Sequence, residues 1–123
     1  PKRKFFALAL DGKKRQVDSL TSNIGHLLWS GIVEDNKIEP IVQHLMSDQL
    51  FSGWGIRTMA SSEGGYNPIG YHVGTVWPHD NSIIAAGLSK AGYKKEAARI
   101  SWGILDAATY FNYRLPEAFG GFP

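Results

Sequence analysis

"WPHDNSIIAAGLSKAGYKKEAARISWGILDAATYFNY", residues 77–113, decides the fold. Pro78 suits the first turn of a helix, where a missing N–H costs little, and Ile83, Ile84, Ala86, Gly87 and Leu88 fill the body of that helix. Gly92 suits its exit, and a second helix follows the hinge Ala91-Gly92-Tyr93. In that second helix Ala97, Ile100, Ile104, Leu105, Ala108 and Phe111 fall on one side. Small residues at Ala85, Ala86, Gly87, Ala97, Ala98, Ala107 and Ala108 allow two backbones to approach closely. The stretch therefore predicts a tight antiparallel helical hairpin.

Upstream, "SLTSNIGHLLWSGIV" predicts another helix, with Thr21, Ser22 or Asn23 as its cap and Ile24, Leu27, Leu28 and Ile32 at helical spacing. Gly31 lies near its end. Ile38, Ile41, Val42, Leu45 and Met46 recur at spacings of three and four in the next run, with Pro40 placed in a first turn. At the start, Phe5 to Leu10 reads as a short strand entering an Asp11-Gly12 turn, where glycine would supply positive φ.

Between the two helical pairs, residues 51–75 hold six glycines, a proline and several serines. Structureless connections beyond about 12–15 residues are uncommon in compact domains and are usually functional or disordered. Phe51, Trp54, Tyr66 and Tyr71 argue against disorder, because a merely solvated loop has no use for them.

The bulk composition excludes several classes of protein. Its length of 123 residues fits one domain, and the apolar and charged shares of 43% and 20% are ordinary for a soluble fold. No run reaches the roughly 18 apolar residues of a membrane span. The opening apolar run leads into "DGKKRQ" rather than a small-residue cleavage site, so it does not read as a signal peptide. Without cysteine there are no disulfides or thiolate metal sites, which fits a reducing, cytoplasmic location. The basic clusters Lys2 to Lys4 and Lys13 to Arg15 read as solvated flanks rather than a nucleic-acid surface.

Four histidines, His26, His44, His72 and His79, together with Asp80, raise the question of a metal. No HExxH or comparable spacing occurs, and no metal or other cofactor is expected. His26 and His44 read as packed or half-exposed helix residues. Asp80 favours the positive end of a helix dipole, which leaves the crowding of Trp77, His79 and Asn81 in the same turn unexplained. An aromatic loop packed on its own core is the ordinary explanation, and a sugar is the functional one: its C–H face stacks on Trp or Tyr, and its hydroxyls need polar partners. Trp54, Arg57, Tyr66, Asn67, Tyr71, His72, Trp77, His79, Asp80 and Asn81 offer that mixture. Glu117, in "RLPEAFGG", is a loop carboxylate among apolar and glycine residues; taken alone it reads as a solvated loop glutamate before it reads as a general base, though the setting suits one.

Four stretches in order, "LTSNIGHLLWSGIV", "LFSGWGIRTMAS", "YNPIGYHVGTVWPHDNSIIAAGL" and "LPEAFGGF", resemble motifs of the bacterial amylo-α-1,6-glucosidase, or glycogen debranching enzyme-like, group of six-hairpin glycosidases. That group is related to glucoamylases and trehalases, and the resemblance runs from about Phe5 to Pro123. It implies a mainly α fold, with residues 1–123 forming the C-terminal part of an (α/α) six-hairpin toroid. It also implies inverting hydrolysis of α-glucosides, such as α-1,6 branches of glycogen-like glucans, with Glu117 as the base. Trp54, Arg57, Tyr71, His72, Trp77, His79, Asp80 and Asn81 then become substrate-binding candidates. The acid is expected upstream of Pro1, since Asp80 and Glu63 match no acid motif. The sequence departs from the family pattern at Val73, Ala118 and Gly120, which bears on substrate detail rather than on the carboxylate.

On this reading the substrate is the expected partner, the isolated chain has little activity, and uncovered helix faces favour a homo-oligomer. The alternatives are a non-catalytic carbohydrate-binding or scaffold segment, and a glycosidase for trehalose, glucosylglycerate or a processing oligosaccharide.

Overall fold

The computed structural model describes residues 4–123. Of the first basic cluster only Lys4 lies within them; the part of the expectation that rests on Lys2 and Arg3 falls outside. A small antiparallel pair, β1 (Ala9–Leu10) and β2 (Gln16–Val17), precedes four helices. These are α1 (Asn23–Ser30), α2 (Ile38–Leu45, entered through a 3-10 turn at Asp35–Lys37), α3 (Pro78–Lys90) and α4 (Lys94–Thr109). No helix among the described residues is long and apolar enough to cross a membrane.

The expected N-terminal strand shrinks to two residues. Phe5 leaves it to enter the core, where its ring meets His44 edge-on at 5.3 Å. Positive φ in the turn falls on Lys14 (61°) rather than Gly12. Asp11 makes that possible by accepting from the Lys13 and Arg15 N–H groups at 2.8 and 2.9 Å and from Arg15 Nε at 2.7 Å. A carboxylate gathering three donors organises the turn from its side chain.

The helices pair as expected but share surfaces differently. α3 packs on α1 as well as on α4, placing it at the centre. The core runs from Leu20, Ile24 and Leu28 through Ile41, Val42 and Leu45 to Ile84, Leu88, Ala97 and Ile100. Gly87 serves the α1 contact rather than the α3–α4 hairpin: a Cβ there would stand 2.6 Å from the Trp29 nitrogen. Ala86 and Ala98 face solvent, so the small-residue stripe is only partly used for close approach. Leu105 and Phe111 are exposed, and Ile32 lies beyond Gly31, where α1 stops. The hinge glycine Gly92 does carry positive φ (92°), as a tight helix exit needs.

No side chain caps α1 or α3. Ser22 holds the N-cap position of α1 in a helical conformation, and Trp77 holds that of α3.

The long loop is ordered by isolated antiparallel bridges. Thr21 pairs with Met59, Arg57 with Val76, and Val76 with Phe119. These steps lay four chain segments side by side, with Ile56 and Val76 fully buried beneath them. Glu117 thereby sits two residues from a bridge to the segment that starts α3.

Candidate active site

The Val76–Phe119 bridge positions the tail by two backbone hydrogen bonds of 2.9 and 3.0 Å, and Gly121 adds a third by donating to Pro68 O at 2.8 Å. Arg57 reinforces this from below. It is buried, and its Nε donates to Gly121 O at 2.6 Å while Nη1 donates to Asp48 O at 2.9 Å and Gln49 O at 3.3 Å. A guanidinium spent on three backbone carbonyls works as a staple between loop and tail rather than as a surface that meets a ligand. Asn81 is likewise consumed internally. It is 0% exposed, accepting from Ile56 N and donating to Ile56 O and Trp77 O.

Above this framework opens a cleft of about 450 Å³ whose lining includes Thr21, Ser22, His26, Thr58, His72, Trp77, His79 and Asp80. Four of the residues singled out by sequence, His72, Trp77, His79 and Asp80, therefore share one wall. Trp77 is oriented by its Nε1, which donates to Tyr71 O and Thr75 Oγ1, both at 2.9 Å. His72 stacks on its ring (centroids 5.2 Å apart, planes 18° apart) and His79 meets it edge-on at 5.9 Å. The wall so presents two exposed imidazoles backed by an indole that is itself buried.

Asp80 does not cap α3 with its side chain. Its Oδ1 pairs with His26 Nε2 on α1, across the cleft floor, while its Oδ2 is buried without a partner among the described residues. The hydroxyl of Thr21 is buried and unpartnered in the same lining. His26 was legible in sequence only as a helix residue, because nothing in "NIGHLLWS" indicates that α3 would cross it.

Glu117 is exposed at the cleft's flank, joined to it through Tyr71. The Tyr71 hydroxyl donates to Glu117 Oε2 at 2.8 Å, and the ring lies 4.4 Å from His72 and 4.7 Å from Trp77. The Tyr71 phenol is held above its ordinary pKa, chiefly because its proton is bonded to the Glu117 carboxylate. Oε1 of Glu117 has no hydrogen-bond partner among the described residues, leaving one carboxylate oxygen open to accept a proton.

Trp54 lies elsewhere. It borders an apolar cavity of about 410 Å³ with Tyr110, Phe111, Phe119 and Phe122, and its ring meets Tyr110 edge-on at 5.7 Å. No group of three or more His, Asp or Glu side chains among the described residues is arranged to hold a metal ion.

Known proteins share this fold. A GH63 mannosylglycerate hydrolase from Thermus thermophilus, solved in complex with glucose, superposes with a TM-score of 0.78 at 18% identity, over 89% of this chain and 27% of its own. An uncharacterized conserved protein from the same organism superposes with a TM-score of 0.74 at 18% identity, over 88% of this chain and 26% of its own. The chain thus spans about a quarter of the length of these structures and has the fold of a portion of an α/α toroid. No curated protein matches the sequence. Residues 1–116 match the mannosylglycerate hydrolase MGH1-like glycoside hydrolase domain, and the chain belongs to that family of glycosidases.

Proposed function

We propose that residues 1–123 are the C-terminal part of the catalytic domain of an inverting glycosidase in which Glu117 is the general base. The observation that carries this reading is the placement of the Glu117 carboxylate. It is bonded on one oxygen to Tyr71, open on the other, and set beside a cleft walled by Trp77, His72 and His79. Glu117 Oε1 takes a proton from water as the water oxygen attacks the anomeric carbon. The glycosidic bond breaks, and its oxygen takes the proton of a general acid that lies upstream of Pro1. For inversion the acid and base carboxyls stand about 6.5–9.5 Å apart, which leaves room for the water. His72, His79 and Asp80 bind the sugar hydroxyls, and the buried Trp77 holds the His72 ring from behind.

For the substrate, the family described by mannosylglycerate hydrolase favours an α-linked sugar on a small acidic alcohol such as glycerate. The motif order resembling debranching glucosidases supports a second reading, an α-1,6-linked glucan. Both are tested on the complete hydrolase with glucosylglycerate, mannosylglycerate, trehalose and a branched glucan, following the anomer first released by NMR. Glu117→Gln should cost roughly 10²- to 10⁴-fold in kcat. Unchanged turnover in that variant would leave the chain a binding or scaffold segment.

A further inference from the structure

We infer that Tyr71 is a positioning residue that holds the Glu117 carboxylate in its reactive orientation, an assignment that rests on Glu117 being the base. Glu117 stands on a tail outside any helix or strand, exposed to solvent, and a glutamate there has three side-chain torsions free to rotate. Its side chain has a single hydrogen-bond partner among the described residues, the Tyr71 hydroxyl. Bonding at Oε2 restricts those torsions, so the one donor narrows where the accepting oxygen, Oε1, can lie.

Tyr71 is itself anchored more firmly than a surface tyrosine needs to be. Its carbonyl oxygen accepts from Thr75 Oγ1 at 2.7 Å and from Trp77 Nε1 at 2.9 Å. Its ring packs against both His72 and Trp77. The exposed His72 imidazole on the cleft wall and the phenol that meets the base are therefore parts of one unit, built on the buried Trp77. Holding the substrate at His72 also fixes the base relative to it, which is what orientation contributes to catalysis. The elevated phenol pKa fits this geometry, since a proton shared with a carboxylate is harder to remove.

The test is Tyr71→Phe in the complete hydrolase, which keeps the ring and deletes the donor. A lost hydrogen bond to a charged group should lower kcat ~10- to 100-fold with KM changed less than ~3-fold. A rise in KM with kcat intact would overturn the inference, because the phenol would then be contacting substrate. A second measurement does not depend on Tyr71→Phe folding well. Alkaline absorbance titration of Glu117→Gln, which retains Tyr71, should show one phenol ionising at lower pH than in the unsubstituted enzyme. No change in that titration would also overturn it. Glu117→Gln with full turnover refutes the base assignment instead, so the two failures are separable.

Discussion

His26 on α1 and Asp80 in the first turn of α3 are 54 residues apart in sequence and share a hydrogen bond on the floor of the cleft. The Asp80 side chain is 11% exposed, whereas the His26 side chain is 40% exposed, so the pair joins a nearly buried carboxylate to a half-solvated ring. Burying a carboxylate oxygen without a partner costs stability, which marks Asp80 as a candidate for a functional role.

Asp80→Ala should lower the stability of the chain by about 1–2 kcal/mol in urea, a discounted figure because His26 is partly solvated. In the complete hydrolase the same substitution should raise KM more than it lowers kcat, as expected for a residue that binds substrate but takes no part in proton transfer. A selective loss of kcat would move Asp80 from binding into the chemistry.

The α1–α3 contact makes a second prediction. Because a Cβ at Gly87 would press on the Trp29 backbone nitrogen, Gly87→Ala should destabilise by about 1–3 kcal/mol despite the better helix propensity of alanine. The neighbouring exposed position gives the control: Ala86→Ser should stay within about 0.5 kcal/mol. Equal effects at the two sites in thermal unfolding would contradict the close packing.

That contrast separates what the chain encodes locally from what only its tertiary arrangement decides. The helices were legible because apolar spacing, Pro78 and Gly92 are local signals that act within a few residues. Which helix uses Gly87 was not, since the same small residue could face α4 or α1, and only the tertiary arrangement decides. Trp77, His72, His79 and Asp80 stood out together because they occupy one short stretch. Arg57 and Asn81 carried the same polar signal, yet their side chains are spent on backbone groups that sequence cannot place. His26 gave no signal, its partner being supplied by a distant helix.

Protonation of Asp11 should loosen the N-terminal hairpin. The backbone and side chain of Arg15, in that order, hold the Asp11 carboxyl below its usual range. A depressed carboxylate contributes order that is present above its unfolded pKa and is lost as pH falls through the folded one. Protection of the amides of β1 and β2 should therefore decline in acid, and Asp11→Asn should show weak protection with a flatter pH dependence. Both are read by hydrogen exchange.

The outer face of α4 predicts the behaviour of the isolated chain in solution. Trp102 and Leu105 are 65% and 54% exposed, three residues apart, and therefore neighbours on one helical face with exposed Ala98 one turn before them. Trp102 lies opposite the stripe of Ala97, Ile100, Ile104 and Ala108 that packs inward, and Leu105 lies at the flank of that stripe. A solvated helix face has no need of an indole beside a leucine, and apolar surface of this kind drives association. The 123-residue chain should self-associate in a concentration-dependent way by sedimentation equilibrium. Trp102→Glu combined with Leu105→Lys should shift it toward the monomer without changing its helix content, because neither side chain contributes to the core. A monomeric unsubstituted chain at high concentration would mean that this face is tolerated by solvent as it stands.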